Sequence, residues 1–228
     1  MTKEGLGSVD QFLLITVRAL NKVGYGGSPD NLQQLLTQNR FNLWEYLKTH
    51  YQITSDMIGV DVGAGDGSFA QLSGIKNIFS SDLLTPNAVH PPNFIQNTAE
   101  NLPFASSSLD FISYMYALHH FANKEQSLCE AKRVLKPGGF LFIKEEFPRY
   151  KAQTHLLELN EVATNEAIFG KERALEYCSQ ASYFDRSILL GLLGQLQFSI
   201  LEESFYKPGR WYEPIYKTIK VLIVAQSQ

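Results

Sequence analysis

This sequence has few cysteines, little excess of either charge and no long apolar run. The 228 residues include two cysteines, Cys129 and Cys178, which are far apart and exclude a disulfide framework or a cysteine-based zinc site. Twenty basic residues face twenty-three acidic ones, so no basic surface for nucleic acid or a membrane is expected. The stretch nearest to a membrane span, residues 12–20, is too short and is broken by Thr16 and Arg18. The first residues lack the order of a signal peptide, and we expect a cytoplasmic protein.

The N-terminal quarter of the chain has the apolar spacing of helices. The pattern predicts one helix over residues 8–23 and a second from Pro29 to about His50, with Trp44 and Leu47 on its inward face. We assign residues 1–52 to an N-terminal helical cap and residues 53–228 to one domain. A cover over an exposed sheet edge, or a homodimer contact, remains open as another role for these helices.

From Met57 onward, short apolar runs alternate with crossover segments. Strands are predicted over residues 57–62, 77–81, 93–96, 109–114, 140–145, 198–205 and 217–225. A helix is predicted over residues 125–135, ended by Lys136-Pro137-Gly138-Gly139, and another is capped by Asp185. The proline-rich segment 83–92 predicts a loop. The alternation indicates an α/β fold, a doubly wound seven-stranded sheet whose last strand is antiparallel. Residues 147–183 supply extra helices for a lid.

A glycine-rich turn follows the first predicted strand. Residues 60–67 read VDVGAGDG, where glycines permit a tight turn and close approach of a ligand to the backbone. The carboxylate of Asp61 at the strand end favours an ammonium group over a pyrophosphate. Asp82, nineteen residues after Gly63, ends the second strand, where a carboxylate can accept both hydroxyls of a ribose. A ligand with both groups is S-adenosylmethionine.

Three later segments complete a set of motifs. They are NTAENLPFASSSLDFI at 97–112, ALHHF at 117–121 and AKRVLKPGGFLFI at 131–143. With the glycine turn and Asp82, they make the sequence resemble class I S-adenosylmethionine-dependent methyltransferases, type 11 group, over residues 57–147. The resemblance implies a Rossmann-like sheet, S-adenosyl-L-methionine as cofactor, and methyltransferase activity.

The resemblance also implies a cofactor site along the ends of the first four strands. Its expected members are Asp61 for the methionine ammonium; Gly63, Ala64 and Gly65 for the methionine and ribose; Asp82 for the ribose hydroxyls; Leu83, Thr98, Ala99 and Glu100 for the adenine; and Tyr114 and Met115 for the sulfonium end. The family usually has aspartate at the position of Thr98, so the contact to the adenine amino group is expected to be weaker here.

His119 and His120 are the candidate catalytic residues. Imidazole titrates near neutral pH, so either could remove a proton from an acceptor hydroxyl or amine. His119, earlier in the turn, is the better candidate. The alternative is that the pair only orients the turn and packs near the cofactor.

Three side chains are substrate-contact candidates. Tyr25 lies in the glycine-rich break between the first two helices, Tyr212 belongs to an aromatic loop after the sixth strand, and Glu146 follows the fifth strand. Packing of the loop, and a helix cap or lysine partner for the carboxylate, are the alternatives. His155, Glu158 and Glu161 have a helical spacing that a metal site could use, but a solvated helix face is favoured, and no metal is expected.

These observations predict one function and leave several alternative functions open. We predict methyl transfer from S-adenosylmethionine to a small molecule, with oxygen favoured over nitrogen or carbon as the acceptor atom. The rivals are an enzyme of the same fold with cyclase or pericyclase chemistry, and a binding protein without catalysis. A nicotinamide dehydrogenase is disfavoured by Asp61 and the glycine spacing. We expect no nucleic-acid or membrane partner.

Overall fold

The computed structural model describes residues 43–84, 91, 93–148, 151–179, 181–183, 185–206 and 219–228. The strands in these ranges are β1 (Ile58–Val62), β2 (Asn77–Asp82), β3 (Phe94–Gln96), β4 (Leu109–Met115), β5 (Leu135–Phe147), β6 (Phe198–Tyr206) and β7 (Ile219–Ser227). The helices are α1 (residues 43–51), α2 (Ser68–Leu72), α3 (Lys124–Val134), α4 (Lys151–Phe169), α5 (Lys171–Ser179) and α6 (Arg186–Gln195), with a 3₁₀ turn at Leu118–His120.

The strands form one seven-stranded sheet in the order β3-β2-β1-β4-β5-β7-β6. The pairs from β3 across to β5 are parallel, whereas β7 runs antiparallel to both β5 and β6. The predicted fold class and the antiparallel last strand are therefore confirmed. Strand order reverses between β1 and β4, and in open α/β sheets ligands bind outside the carboxyl ends of the strands at such a point.

Side chains on the two faces of the sheet enter two separate core layers. On one face, Ile112 and Tyr114 of β4 pack with residues of α3 and α6. On the other face, Phe111 packs with Trp44 of α1 and Phe69 of α2. Because strand side chains alternate between faces, neighbouring β4 residues fall in opposite layers. Trp44 is the inward anchor of α1, as predicted, and its indole Nε1 donates to the Phe69 carbonyl at 2.6 Å.

Two helix boundaries follow from side-chain caps. The Asp185 side chain accepts from the backbone N–H of Ser187 at 2.7 Å at the start of α6, which confirms the predicted cap. Asn123 does the same for α3, accepting from Gln126 N at 3.0 Å.

The predicted end of α3 is correct, but the predicted start of β5 is wrong. Residues 136–139, expected to be a terminating turn, lie inside a longer strand that begins at Leu135. The register shifts between the Leu109 and Phe111 pairings opposite this segment. Gly138 adopts a positive φ of 80°, so the glycines permit an irregularity within the strand instead of ending it.

The extra helices after β5 are confirmed as α4 and α5, which pack on each other through Leu159, Val162 and Cys178. The helix predicted over residues 8–23, the start of the second helix, most of the predicted loop 83–92, and the loop after β6 lie outside the described residues. Within the ranges described, no helix combines the length and apolarity needed to cross a membrane.

Candidate cofactor and catalytic site

The glycine turn after β1 is held against the end of β2. The backbone N–H groups of Gly63 and Ala64 both donate to the Ser81 carbonyl, at 2.8 and 3.0 Å. Gly63 and Gly65 adopt positive φ values of 70° and 56°, which disfavour any side chain. A Cβ on Gly63 would lie 2.4 Å from the Ala117 Cβ, whereas a Cβ on Gly65 would find only Ile168 Cδ1, at 3.8 Å. Gly63 is therefore needed for packing, whereas a Cβ on Gly65 would make only one ordinary van der Waals contact, with Ile168 of α4.

Asp82 ends β2 directly below this turn. Its carboxylate is 2% exposed, and its two oxygens accept from Gly65 N at 2.9 Å and Leu84 N at 3.1 Å. Burial raises the pKa of Asp82 although these backbone donors oppose the shift. A carboxylate offers about four acceptor positions, so Asp82 can also accept from a further donor such as a hydroxyl.

A small pocket of about 50 Å³ opens beside the glycine turn. Its lining residues are Leu43, Asp61, Gly63, Ala64, Phe69, Met115, Tyr116 and Lys144. The volume suits a group the size of a few water molecules and not a whole nucleoside. The structure thus brings four expected cofactor residues together, Asp61, Gly63, Ala64 and Met115, with four residues that the sequence reasoning did not identify.

The two charged residues of the pocket are both buried. Asp61 is 1% exposed, and its Oδ1 accepts from Ser113 Oγ at 2.7 Å. Lys144 is 9% exposed, and its Nζ lies 5.2 Å from the centre of the Tyr116 ring. Tyr116 has a positive φ of 56°, and its backbone N–H donates to the Lys144 carbonyl at 2.7 Å. An acid and a base therefore line one small space.

The expected adenine-side residues lie beside Asp82. The N–H of Asn97 donates to the Asp82 carbonyl at 3.0 Å, which places the following segment next to the end of β2. Leu83 is 43% exposed, Thr98 is exposed and Ala99 is buried. Glu100 Oε1 accepts from the Asn123 N–H at 2.9 Å. Leu83 and Thr98 are thus the accessible members of this group.

Tyr114 does not reach the pocket with its side chain. The side chain is fully buried, its hydroxyl donates to the Ser127 carbonyl at 2.9 Å, and its ring meets Phe121 edge-on at 5.1 Å. The alternation of β4 places Tyr114 in the α3 layer and leaves Met115 to line the pocket. The expected contact of Tyr114 with the sulfonium end is therefore not supported for its side chain.

His119 is paired with a carboxylate from the neighbouring strand. It follows β4, while Glu145 lies near the end of β5, and Nδ1 is 2.9 Å from Glu145 Oε1. Glu145 Oε2 also accepts from the backbone N–H of His119 at 3.2 Å. A carboxylate only accepts, so the Nδ1 proton is fixed toward Glu145. His119 Nε2 is buried and has no hydrogen-bond partner among the described residues.

His120 is paired with a residue of α4. Its Nε2 lies 3.4 Å from Glu161 Oε2, which also accepts from Asn165 Nδ2 at 3.2 Å. The His119 and His120 rings are 4.1 Å apart. Tyr183 stacks on His119 at 4.5 Å, and Tyr177 stacks on His120 at 4.4 Å. Helix α5 and the segment after it therefore cover both imidazoles.

The two imidazoles have opposite pKa shifts. Burial alone lowers the pKa of His119, but the negative charges of Glu145, Glu161 and Glu146 outweigh it and raise the pKa overall. For His120, burial and the neighbouring His119 prevail and lower the pKa, although Glu161 opposes them. His119 therefore holds a proton more strongly than His120 does.

Glu161 does not lie on a solvated helix face, which corrects that expectation. Its carboxylate turns toward His120, whereas His155 and Glu158 pair with each other, with Nδ1 3.7 Å from Oε2. His119, His120 and Glu161 offer ligand atoms within 4.8 Å of one another, a spacing that could admit a metal ion. The expectation of no metal remains a prediction.

The remaining substrate candidates are only partly described. Glu146 is half-buried, and its backbone N–H donates to Glu145 Oε1 at 2.9 Å. Tyr25 and Tyr212 lie outside the described residues. The sequence reasoning favoured a helix cap or a lysine as the partner of the acidic pair ending β5. The adjacency of β4 and β5 in the predicted parallel sheet was the signal that could have joined Glu145 to His119.

Parts of the chain are similar to known methyltransferases. Residues 60–143 match the protein family described as a methyltransferase domain. Over 82 residues the chain is 38% identical to the uncharacterized methyltransferase YcgJ of Bacillus subtilis strain 168, covering 36% of this chain and 27% of YcgJ. Over 115 residues it is 34% identical to the ubiquinone/menaquinone biosynthesis C-methyltransferase UbiE of Campylobacter jejuni, covering 46% of this chain and 49% of UbiE. The matches thus span at most about half of these relatives.

Solved structures share the fold at low sequence identity. The crystal structure of YcgJ aligns with a TM-score of 0.58 at 17% identity, covering 84% of this chain and 99% of YcgJ. The [4+2]-cyclase SpnF aligns with a TM-score of 0.57 at 16% identity, covering 82% of this chain and 80% of SpnF. Residues 60–143 are therefore similar to a methyltransferase domain, and the described sheet shares the fold of YcgJ and SpnF.

Proposed function

We propose that this protein transfers a methyl group from S-adenosylmethionine to a small-molecule acceptor whose nucleophile must lose a proton. The observation that carries the proposal is the buried His119–Glu145 pair. Nδ1 of His119 is held at 2.9 Å from Glu145 Oε1, and Nε2 is without a partner in the described part of the chain. A histidine oriented by a carboxylate on one nitrogen is suited to accept a proton on the other.

The residues at the ends of β1 and β2 fit the cofactor. Asp61 would hold the ammonium group, the backbone around Gly65 would pass beside the ligand, and Asp82 would accept from the ribose hydroxyls. Support comes from Gly65, where a Cβ would meet only Ile168 at 3.8 Å, and from the Asp82 carboxylate, which can accept from further donors. Leu83 and Thr98 would lie against the adenine. The bound cofactor supplies a methyl group already activated by a positive sulfonium.

In the proposed reaction, this chain positions the reactants, provides a base and excludes water. His119 Nε2 would take the proton of the acceptor, and Glu145 would stabilise the resulting imidazolium charge. His120, in contact with Glu161, would stay neutral, so no second positive charge would lie beside the His119 imidazolium. Burial of both rings under Tyr177 and Tyr183 excludes water from the base.

The segment 181–183 would control entry of the acceptor. The Ser182 N–H donates to the His119 carbonyl at 2.7 Å, and Ser182 Oγ accepts from Lys124 Nζ at 2.7 Å. With Tyr183 stacked on the imidazole, the acceptor can reach Nε2 only if this segment moves. Such closure over a reaction site is common in enzymes that must exclude water. The lid role of residues 147–183 is part of this proposal.

Oxygen is the acceptor atom that we propose, since a hydroxyl is the group that most needs a base near neutral pH. The relatives named UbiE are C-methyltransferases. The same base could remove the proton of an enol or phenol whose ring carbon then accepts the methyl. Tyr25, Glu146 and Tyr212 remain the proposed substrate contacts.

The experiment is a screen with methyl-labelled S-adenosylmethionine. Metabolite extracts are incubated with the full-length protein, and labelled products are identified by mass spectrometry and by the shift of the methyl carbon in nuclear magnetic resonance. We expect an O-methyl product with the wild type and a loss of about 10²-fold or more in rate with His119→Gln. A label that stays on the nucleoside while the acceptor is converted would contradict methyl transfer and favour cyclase-like chemistry.

A further inference from the structure

Two neighbouring histidine side chains each have a buried nitrogen without a hydrogen-bond partner among the described residues. These atoms are Nε2 of His119 and Nδ1 of His120. Both rings belong to one 3₁₀ turn, with their centres 4.1 Å apart and their planes tilted by 44°. The two residues are 1% and 8% exposed, so bulk water is kept from these nitrogens. Leaving a buried polar atom unpaired costs free energy, so each nitrogen favours a ligand group that can pair with it.

A carboxylate beside each ring decides what its unpaired nitrogen offers. Glu145 Oε1 lies 2.9 Å from Nδ1 of His119, and Glu161 Oε2 lies 3.4 Å from Nε2 of His120. Because a carboxylate accepts hydrogen bonds, each neutral ring keeps its proton on the nitrogen that faces the carboxylate. Burial lowers the pKa of His120 and so favours its neutral form. Nε2 of His119 and Nδ1 of His120 are then both acceptors.

Two neighbouring acceptors favour a ligand that carries two donors. A molecule with a single hydroxyl pairs with one nitrogen and leaves the other unpaired. Two hydroxyls on neighbouring carbons supply one donor to each nitrogen. Sites that hydrogen-bond a substrate hydroxyl discriminate strongly against analogues without it, because a buried protein group then stays unpaired. Tyr183 and Tyr177 stack on the two imidazoles at 4.5 and 4.4 Å, and these aromatic surroundings suit a flat ring as the body of the ligand.

We propose that His120 determines specificity, and that the methyl acceptor is a catechol-like molecule with hydroxyls on two neighbouring ring carbons. This inference rests on the proposed function, because it concerns the acceptor of the same reaction. One hydroxyl gives its proton to Nε2 of His119, and its oxygen bonds to the methyl carbon as the carbon–sulfur bond breaks and S-adenosylhomocysteine leaves. The second hydroxyl keeps its proton and donates to Nδ1 of His120. Glu161 is a positioning residue, since it fixes which nitrogen of His120 carries the proton.

The test compares catechol with phenol as acceptors for the full-length protein and methyl-labelled S-adenosylmethionine. Phenol differs from catechol only in lacking the second hydroxyl. We expect the wild type to have a kcat/KM about tenfold or more higher for catechol, because phenol leaves one buried nitrogen unpaired. The product should be the monomethyl ether, since methylation removes one of the two donors.

Variants then separate recognition by the site from any difference in reactivity between the two probes. His120→Phe keeps a ring against Tyr177 but has no acceptor nitrogen, so its kcat/KM for catechol should fall to about the value for phenol. Glu161→Gln should also reduce the preference, because an amide can donate to Nε2 and so place the proton of His120 on Nδ1. The ratio of the two kcat/KM values is measured within each variant, so a smaller folded fraction does not change it.

Glu158→Gln is the matched control on the same helix. Glu158 pairs with His155, with Oε2 3.7 Å from Nδ1, and this variant should keep the wild-type ratio. If His120→Phe is inactive with both probes, the ratio in Glu161→Gln decides.

Equal use of catechol and phenol by the wild type, or an unchanged ratio in both test variants, would overturn this inference and leave the proposed function standing. Loss of catechol methylation on chelation, with recovery on adding Zn²⁺, would also overturn it, since the two histidines and Glu161 would then hold a metal ion. If neither probe is methylated, the product of the labelled screen decides. A free hydroxyl next to the new methoxy group supports the inference, and its absence refutes it. No transfer to any acceptor means that the proposed function itself fails.

Discussion

His119 is the residue on which the proposed chemistry depends, and its properties come from neighbours distant in sequence. Its position after β4 was predictable from the ALHHF motif. Its partner was not, because Glu145 lies 26 residues later and meets His119 only once β4 and β5 pair. Likewise, strand alternation predicts that either Tyr114 or Met115 faces the ligand, but the sequence does not say which face of β4 carries the ligand. Lys144 was expected at the end of β5, but the sequence did not place it in the pocket with Asp61.

The first prediction concerns the pH dependence of methyl transfer. Only neutral His119 can act as a base, so the rate should rise with pH through its pKa, which Glu145 helps to raise above the usual value. In Glu145→Gln the negative charge is lost and the pKa of His119 falls. The rising limb of the pH–rate profile should therefore move to lower pH, while the plateau rate drops roughly tenfold or more.

Single-turnover rates against pH, with the acceptor found in the screen, measure both effects. Glu125→Gln, at the exposed start of α3, is the control and should leave the profile unchanged. A rising limb that stays in place in Glu145→Gln would mean that another group limits the reaction.

A second prediction concerns Asp82. Asp82→Ala removes the acceptor proposed for the ribose hydroxyls, and hydrogen bonds to a charged group contribute about 1.5–3 kcal/mol. Affinity for S-adenosylhomocysteine should fall at least about tenfold by calorimetry. Asp185→Ala, which removes an exposed helix cap, should leave the affinity unchanged. Unchanged binding in Asp82→Ala would remove Asp82 from the cofactor site.

Helix α1 packs against the sheet with Trp44 as its largest buried side chain. Trp44 is fully buried, stacks on Phe69 with ring centres 4.5 Å apart, and meets Phe111 edge-on at 5.8 Å. Phe69 and Leu43 also line the pocket beside the glycine turn. The helix therefore forms part of the wall of the site, which apolar periodicity predicted only as an inward face.

Trp44→Ala should therefore destabilise the protein and weaken the pocket together. Truncation of a buried tryptophan costs about 3–5 kcal/mol, because the lost transfer energy is joined by the energy of the cavity left behind. Urea unfolding followed by circular dichroism measures the change. Trp44→Phe keeps a ring against Phe69 and should lose much less. A loss below about 1 kcal/mol in Trp44→Ala would contradict the anchoring role.

The bounds of some strands follow from the local sequence pattern, whereas the bounds of others depend on tertiary contacts. Strands β1, β2 and β4 were predicted to within a residue at each end because short apolar runs bounded by turn residues are read directly from the sequence. The start of β5 was missed because Lys136-Pro137-Gly138-Gly139 has the composition of a turn. In the fold, pairing with β4 and β7 keeps these residues in a strand.

Across the chain, the sequence placed the glycine turn and both histidines at the ends of parallel strands, where the topology gathers them. It did not predict the contacts from the lid, since Glu161, Tyr177 and Tyr183 approach the histidines through the packing of α4 and α5. The cap assigned to residues 1–52 stays a prediction except for α1. The proposed division is a core that binds the cofactor and helices that cover the acceptor.

Binding of S-adenosylmethionine to the full-length wild-type protein tests this account most directly. Calorimetric titration should show one site per chain for S-adenosylmethionine and for S-adenosylhomocysteine, with no heat from a nicotinamide dinucleotide under the same conditions. Binding of the nicotinamide dinucleotide in place of both S-adenosyl compounds, or binding of none of the three, would contradict the account.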